Sequence, residues 1–237
     1  MEIIVAEPST RTVERALQLL GSVCDAGFLT LADAARGTEL SASTALRLLR
    51  TLESAGFVRK DDEGAYRPGL RIVQLGAQAL SHESIISLAE PALERIVEAT
   101  GESAYVNVRA HHGPGGEHGL YIAMREGTHS VRHSSWVGRT VPMEGSASGA
   151  VLSGKTPKAG YVVVDRGVEA DVTAIAAPIA VEMHAPDGTT TGTRVIAALS
   201  IVAPSYRMNP EKIKAIGELV AEEAHNVLTA YQQENQP

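Results

Sequence analysis

Apolar positions near the start of the chain recur with the period of an α-helix. From residue 12 to 24 they share one side of a helix, and they are Val13, Ala16, Leu17, Leu20, Val23 and Cys24. Ser9 or Thr10 can cap the start of this helix. Because Cys24 closes the apolar stripe, we expect it to be a small core residue.

Two further helices are predicted close behind the first. The second covers about Leu31–Arg36, and Gly37 stops it. The third runs from about Ser41 to Ala55, with Gly56 as its terminating glycine. Two helices joined by a short turn that contains glycine have the spacing of a helix-turn-helix motif.

The third helix has two distinct faces. Its inward stripe consists of Ala45, Leu48, Leu49 and Leu52, and the opposite stripe consists of Ser43, Arg47, Arg50 and Ser54, flanked by Thr44 and Thr51. The polar stripe is either a solvated face or a DNA-contacting face. Its composition favours DNA, because arginine offers a bidentate fork to guanine or phosphate and small hydroxyl residues permit close approach.

Two short strands are predicted after Gly56. They cover Phe57–Lys60 and Ala65–Pro68, and an acidic turn with glycine, Asp61–Gly64, joins them. Three helices followed by a β-hairpin form a winged helix-turn-helix. The base of the wing carries Arg59, Lys60 and Arg67, which could contact phosphates.

The next segment is predicted to be helical. Its apolar residues Leu70, Val73, Ala77 and Leu80 are spaced as a short coiled-coil seam. The seam either packs on its own domain or meets a partner helix. Pro91 then kinks or restarts a helix that continues to Gly101.

From residue 103 onward the pattern is typical of strands. The strand-like segments are SAYVNVR, GLYIAMR, THSVRHSSWVG, GYVVVD, VTAIAAPIAVEM and TRVIAALSIVAP. The last two are predicted to form a hairpin across His184–Gly188 and Thr189–Gly192, and a final helix starts at Asn209-Pro210. The predicted fold class is α+β: an N-terminal winged helix-turn-helix, a linker helix, and a C-terminal antiparallel sheet with flanking helices.

Composition excludes several classes of protein. Of the 237 residues, 44% are hydrophobic and 21% are charged, which suits a folded globular chain rather than a disordered one. A single cysteine excludes an internal disulfide framework and a cysteine-based zinc site. No apolar run approaches a bilayer span, and residues 1–12 lack a signal peptide, so we expect a cytoplasmic protein without membrane contact. The net charge of −7 argues against a wholly basic nucleic-acid coat.

No catalytic or metal-binding arrangement stands out. The glycine-rich segment at 113–119 joins two predicted strands rather than opening a helix, so it does not indicate a phosphate loop. Ser146 lacks the paired glycines of a nucleophile turn. His111, His112 and His118 crowd one loop, and His129 and His133 would share a strand face. Surface histidines rarely mark a metal site by themselves, so we predict no enzyme activity, no cofactor and no metal.

A specific resemblance rests on the third helix. The run Ser43-Thr44-Ala45-Leu46-Arg47-Leu48-Leu49, then Leu52-Glu53 and Gly56, resembles the DNA-binding domain of the IclR family of bacterial transcription regulators. The resemblance implies a winged helix-turn-helix over 1–69, a linker and dimerisation helix over 70–88, and an effector-binding domain of GAF-like or profilin-like architecture over 89–237. The expected DNA-contacting residues are Arg11, Arg15, Ser41, Ser43, Thr44, Arg47, Arg50, Arg59, Lys60 and Arg67.

The C-terminal half resembles the family's effector domain in several pieces. They are Val137-Gly138-Arg139 with Pro142, Gly149, Ile175–Ile179 and Ala197–Ser200. The resemblance also implies that a helical stretch of about 35 residues is missing between about 150 and 160. The expected effector-binding residues are Gly145, Ser146, Ala147, Val164, Asp165, Ala174, Ser200 and Val202.

These effector positions are short of polar anchors, and the missing stretch would leave the pocket more open. We therefore expect an aromatic or partly apolar ligand rather than a two- or three-carbon oxo acid. The alternative is that these residues are plain sheet core.

The resulting hypothesis is a ligand-responsive, sequence-specific regulator that acts as a repressor. It would bind a double-stranded DNA operator and a small-molecule effector as a homodimer or a dimer of dimers. Two alternatives remain open: a DNA-binding regulator without small-molecule control, and an enzyme of the GAF-like domain.

Overall fold

The computed structural model describes residues 10–81, 84–111, 116–133, 135–185 and 189–234. The chain forms two compact units, Met1–His82 and Glu83–Pro237. The linker helix predicted over 70–88 covers the last helix of the first unit and the first residues of a second helix that starts at Ser84.

The first unit is a winged helix-turn-helix. Its elements are α1 (Arg11–Ala26), α2 (Leu31–Gly37), α3 (Ala42–Ser54), β1 (Val58–Lys60), β2 (Tyr66–Pro68) and α4 (Leu70–Ser81). Thr30 and Ser41 cap α2 and α3, because their side chains accept hydrogen bonds from the backbone N–H groups of Asp33 and Thr44. β1 and β2 pair antiparallel, with Arg59 opposite Arg67. The predicted order of helices and wing is thereby confirmed.

The inward face of α1 differs from the predicted stripe. Leu19 and Val23 are buried, whereas Val13 is 54% exposed and Leu17 is 61% exposed. Cys24 is exposed as well, so the prediction that it is a core residue is wrong. The helix contacts the core through Leu19 and Val23, which lie one turn apart. The predicted apolar stripe is wider than this contact, so part of it remains exposed to solvent.

The apolar seam of α4 is also open to solvent within its unit. Leu70 is 81% exposed and Val73 is 65% exposed, and Ala77 is exposed too. These residues do not pack on their own domain.

The second unit is built on a six-stranded antiparallel sheet with the strand order β5-β4-β3-β8-β7-β6. Its elements are α5 (Ser84–Thr100), β3 (Ser103–His111), β4 (Glu117–Arg125), β5 (Thr140–Pro142), α6 (Ala147–Leu152), β6 (Val162–Asp165), β7 (Val172–His184), β8 (Thr190–Pro204), a 3-10 turn (Ser205–Arg207) and α7 (Pro210–Glu234). This arrangement confirms the α+β fold class.

Helices α5 and α7 cover one face of the sheet. The largest apolar cluster lies there, and Ile96 of α5, Leu199 of β8 and Val220 of α7 belong to it. Arg95 joins the two helices through two hydrogen bonds to the buried carboxylate of Glu223, at 2.8 and 2.6 Å. This arginine lowers the pKa of Glu223, because it stabilises the ionised form. The opposite face of the sheet is left to α6 and to loops.

The strand predicted around residues 128–138 is absent among the described residues of that segment. After β4 the chain passes Gly127, where an added Cβ would lie 2.5 Å from the carbonyl oxygen of Gly101. The backbone N–H of Thr128 donates to that same oxygen. The segment therefore turns against the start of β3 instead of pairing along an edge, and the prediction of a strand there is wrong.

The two strands of the predicted hairpin are present, and residues 186–188 of its predicted turn lie outside the described residues. β7 and β8 pair from Val172↔Pro204 to His184↔Thr190. Most of Thr189–Gly192 therefore belongs to β8 rather than to the turn. Pro91, predicted to kink or restart a helix, lies inside α5.

Candidate DNA interface and candidate ligand cavity

Helix α3 presents the polar face that its sequence predicts. Ser43, Arg47, Arg50 and Ser54 are exposed, and Ala45, Leu48, Leu49 and Leu52 are buried. The hydroxyl of Ser41 lies 3.1 Å from that of Ser43 and 2.8 Å from that of Thr44. The start of the helix thus presents a cluster of hydroxyl groups beside the arginines.

The arginines of this surface are free to meet a ligand. Arg47 and Arg50 have no ion-pair partner among the described residues, and the same holds for Arg11, Arg15 and Arg59. Unpaired guanidinium groups carry no cost of breaking an ion pair when they meet phosphate or guanine.

The basic residues of the wing differ in whether an acidic partner compensates their charge. Arg59 and Lys60 are exposed on β1. Arg67 instead donates to Asp61 at 2.7 Å, and its guanidinium lies over the ring of Phe28. Its charge is already compensated, and the hydrogen bond lowers the pKa of Asp61. Arg59 and Lys60 are therefore better suited to phosphate than Arg67.

A cavity opens on the face of the sheet opposite α5 and α7. Its walls come from β4–β8, from α6 and from two loops, and they consist of Tyr121, His133, Trp136, Val141, Ser146, Ala147, Ser148, Val164, Gly167, Val168, Glu169, Val172, Ala174 and Val202. The cavity has a volume of only ≈ 30 Å³. A ligand larger than a few atoms would require the lining side chains to move.

Five of the eight predicted effector residues line this cavity. Val164, Ala174 and Val202 form a continuous row, because Ala174 pairs with Val164 on β6 and with Val202 on β8. Ser146 and Ala147 complete the set at the start of α6.

The other three predicted residues lie elsewhere. Asp165 follows Val164 on β6 and points to the opposite side, where its carboxylate accepts from Thr173 and Ser205 at 2.6 Å each. Those hydrogen bonds lower its pKa. Ser200 is buried beneath α6 and donates to Asn107. Gly145 does not line the cavity. These three residues therefore do not line this cavity, and a role for them in effector binding stays a prediction.

The sequence pattern does not predict the aromatic and charged part of the cavity. Tyr121 lies on β4 opposite Asn107 of β3, and the alternating pattern of its strand does not distinguish it from its neighbours. His133 and Trp136 lie in the segment wrongly predicted as a strand, and Glu169 lies in the loop between β6 and β7. Trp136 is the only tryptophan of the chain, and that scarcity is the one signal that could have drawn attention to it.

His133 is the centre of a polar network in the wall. Its Nδ1 lies 2.6 Å from the hydroxyl of Tyr105, and its Nε2 lies 3.5 Å from the carboxylate of Glu169. Burial lowers the pKa of His133, although Glu169 opposes this shift. The imidazole is therefore neutral at pH 7. A neutral ring with its proton on Nε2 accepts a hydrogen bond from the Tyr105 hydroxyl at Nδ1, and Glu169 lies beside Nε2.

Aromatic rings surround this network. Tyr121 packs edge-to-face on Tyr105, with ring centroids 5.1 Å apart, and on Trp136, with centroids 5.7 Å apart. Burial raises the pKa of Tyr121 to about 12 and also raises the pKa of Tyr105. Both phenols therefore keep their protons at neutral pH and can donate hydrogen bonds.

A buried amide lies beneath α6. Asn107 is fully buried, and its Oδ1 accepts from Ser148 at 3.1 Å and from Ser200 at 2.8 Å. Its Nδ2 has no hydrogen-bond partner among the described residues. A buried donor without a hydrogen-bond partner lowers the free energy of unfolding by about 1–3 kcal/mol.

The pair His133 and Glu169 also borders a second cleft. That cleft is wider and lies on the outer side of the pair, with Asp171 and Tyr206 among its walls. The cavity and this outer cleft share His133, Glu169 and Val172 in their linings, and the cleft has a volume of ≈ 350 Å³.

The wall segment before His133 is fixed by one arginine. Arg207, in the 3-10 turn after β8, donates to both carboxylate oxygens of Glu102 at 2.8 Å each. It also donates to the carbonyl oxygen of Val131 at 2.8 Å. The side chain of Glu102 is only 4% exposed, so this arginine both neutralises a buried carboxylate and holds the loop.

Neither a metal cluster nor a membrane span appears in the described part of the chain. No group of three or more His, Cys, Asp or Glu side chains could hold an ion there. None of the helices in the same ranges is long and apolar enough to cross a bilayer. Ser146 caps α6 and donates to the carbonyl of Pro142, so its hydroxyl serves the helix start.

The fold and the free basic face of α3 define a winged helix-turn-helix regulator. The IclR helix-turn-helix domain matches residues 12–62, and the bacterial transcriptional regulator IclR C-terminal domain matches residues 77–161. Together the two matches take in more than half of the chain. The chain belongs to the IclR family of bacterial transcriptional regulators, whose members are DNA-binding regulators rather than enzymes.

Relatives and solved structures agree with this family. The HTH-type transcriptional repressor AllR of Klebsiella pneumoniae is 25% identical over 254 residues, covering 95% of this chain and 91% of that protein. An IclR homologue of Microbacterium hydrocarbonoxydans, solved with 4-hydroxybenzoate, has a TM-score of 0.72 at 24% identity, covering 94% of this chain and 99% of that one. An IclR-family regulator of Brucella abortus has a TM-score of 0.73 at 20% identity, with 97% and 96% covered.

The alignment with the Klebsiella protein is longer than this chain, since it spans 254 positions against 237 residues. That relative therefore has residues without a counterpart here. A shortening near 150–160 stays a prediction. At that place α6 has six residues, and residues 153–161 lead directly into β6.

Proposed function

We propose that this chain is a repressor whose affinity for its operator is controlled by an aromatic or partly apolar effector. The effector would bind in the cavity bordered by Val164, Ala174 and Val202, beside Tyr121 and Trp136. A ligand can shift DNA affinity only if it binds two states of the protein with different affinity. The very limited free space supports such a difference, because the wall has to move when a ligand enters.

Two further observations support the proposal. AllR, with which this chain aligns over nearly its whole length, is a repressor by name. The Microbacterium homologue of the same fold was solved with an aromatic acid. The free arginines of α3, with Ser41, Ser43 and Thr44, would read the operator, while Arg11, Arg15, Arg59 and Lys60 would contact phosphates.

The effector proposal can be tested through the single tryptophan. We expect aromatic alcohols, amines or acids to change the fluorescence of Trp136, and the best of them to change affinity for an operator fragment at least about tenfold. The operator fragment would be selected by the protein from random-sequence DNA, and its binding would be followed by fluorescence polarisation. Micromolar binding of glyoxylate or pyruvate without response to any aromatic compound would contradict the proposed ligand class. Unchanged DNA affinity with every compound would favour a regulator without small-molecule control.

We also propose that the protein assembles as a homodimer or a dimer of dimers. The exposed residues Leu70, Val73 and Ala77 form an apolar stripe on α4. A helix as short as α4 is not stable by itself in water, so we expect the stripe to pack against a partner. Val13 and Leu17 expose a second apolar strip on α1. Covering such strips removes apolar surface from water.

Charged substitutions on α4 test the assembly. We expect the wild-type chain to sediment as a dimer or larger at micromolar concentration. The double variant Leu70→Lys/Val73→Lys should shift toward the monomer and lose affinity for a two-half-site operator, because each charge would be buried in the interface. Ala79→Lys, at an exposed position on the opposite side of the same helix, is the control. A monomeric wild-type protein, with and without DNA, would exclude this assembly.

A further inference from the structure

The polar character of the cavity narrows the class of effector beyond the proposed function, on which this inference rests. We propose that the cavity selects a ligand that joins an aromatic ring to a protonated amine, with Glu169 as the counter-ion. Carboxylate ligands would be disfavoured at the same position.

The charge of the cavity lining favours a cationic ligand. Glu169 is the only acidic residue among the described residues of the lining, and no lysine or arginine accompanies it there. Its one polar partner in the wall is His133, at 3.5 Å, and a neutral imidazole leaves the carboxylate charge uncompensated. A carboxylate ligand would bring a second negative charge into this partly buried space, whereas an ammonium group would compensate the first.

Burial is the main cause of the raised pKa of Tyr105 and Tyr121, and the charge of Glu169 adds to the shift at both phenols. The outer cleft adds Asp171, while its one arginine, Arg132, is paired with Glu126 at 2.7 Å. The outer cleft beside Glu169 therefore carries a second carboxylate that no free lysine or arginine of its described lining compensates.

The aromatic walls of the cavity favour a ligand that joins a ring to a cation. Tyr121 and Trp136 present electron-rich rings beside Glu169, and such rings attract cations as well as packing on other rings. An aromatic amine would use both properties, because its ring packs on these walls while its ammonium group reaches the carboxylate.

The nearest cation does not offset this preference. Arg139 lies close enough to help lower the pKa of His133, but its guanidinium is placed over the ring of Trp136, with 5.8 Å to the centroid. It is exposed and does not line the cavity. A carboxylate inside the cavity would therefore meet Glu169 before it met Arg139.

Three probes that share one ring and differ in charge test the inference. They are 4-hydroxybenzylamine, 4-hydroxybenzyl alcohol and 4-hydroxybenzoate, titrated into the full chain by calorimetry and by the fluorescence of Trp136. We expect the amine to bind at least about tenfold tighter than the acid, with the alcohol between them. In Glu169→Gln the amine should lose about tenfold in affinity and the acid should gain.

The control is Glu182→Gln, which removes the same charge on an exposed part of β7 outside the cavity. It should leave the order of the three probes unchanged. Since the wild-type comparison needs no variant, the inference stays testable even if Glu169→Gln unfolds.

Several results would overturn the inference. They are equal or tighter binding of the acid by the wild-type chain, an unchanged ratio in Glu169→Gln, or no binding of any of the three probes. If the acid binds best and alters DNA affinity, effector control stands and the amine preference fails. If the amine binds best but DNA affinity does not respond, the preference stands and effector control fails.

Discussion

Arg207→Met is expected to lower the free energy of unfolding of the second unit by about 3 kcal/mol, because the buried carboxylate of Glu102 loses both arginine hydrogen bonds and keeps only His129, 3.6 Å away. The side chains of Arg207 and Glu102 are 19% and 4% exposed, so water cannot replace the lost hydrogen bonds. The loss should appear in urea unfolding followed by circular dichroism. The fluorescence of Trp136 should also change in the native state, since Arg207 holds the segment that leads to it.

Arg132→Met is the matched control. Arg132 pairs with Glu126 on the same segment, but the two side chains are 38% and 56% exposed. Exposed ion pairs contribute about 0–1 kcal/mol, so this variant should differ little from wild type. The double variant Arg207→Met/Glu102→Gln should recover part of the loss, because no buried charge remains. Equal stability of Arg207→Met and wild type would refute the structural role of this pair.

The second large effect concerns DNA. Arg47→Ala is expected to weaken binding to the selected operator by about 1–3 kcal/mol if the guanidinium reads a base edge. Adding Ser43→Ala should weaken it further, since both side chains project from the exposed face of α3. Gel-shift titration at fixed salt measures the effect, and the same titration on unrelated DNA separates sequence reading from phosphate contact.

Two other arginines serve as references. Arg36→Ala removes an exposed arginine of α2 that is already paired with Asp33, so affinity should change little. Arg59→Ala should weaken binding to all sequences alike, because a wing arginine would contact phosphate. Wild-type affinity of the Arg47→Ala/Ser43→Ala variant for its operator would exclude α3 as the reading helix.

The first unit could be predicted closely because its signals are local. The cap at Ser41, the terminating Gly56 and the turn around Gly64 each act within a few residues of their own position. What the sequence did not reveal was the direction of packing. Periodicity identifies an apolar side of α1 but not which edge of it meets the core, so the pattern predicts Cys24 and Leu17 to be buried although both are exposed.

The cavity could be predicted in part through the family resemblance. That resemblance implies Val164, Ala174 and Val202 as cavity residues, and these residues line the space because strand pairing places them side by side. The wall that carries His133, Trp136 and Glu169 has no period, because its position depends on long-range contacts such as that of Arg207 with Val131. Such contacts join positions far apart in sequence and leave no mark in a local pattern.

The division of the cavity into a sheet floor and loop walls has an evolutionary consequence. Val164, Ala174 and Val202 belong to paired strands, so replacing them disturbs the register and packing of the domain. Trp136 and Glu169 lie outside the strands, and their replacement leaves the ladder of backbone hydrogen bonds intact. New ligand preferences can therefore arise by mutation of the walls at little expense of folding, so close descendants of this chain could respond to chemically different signals while keeping the same scaffold.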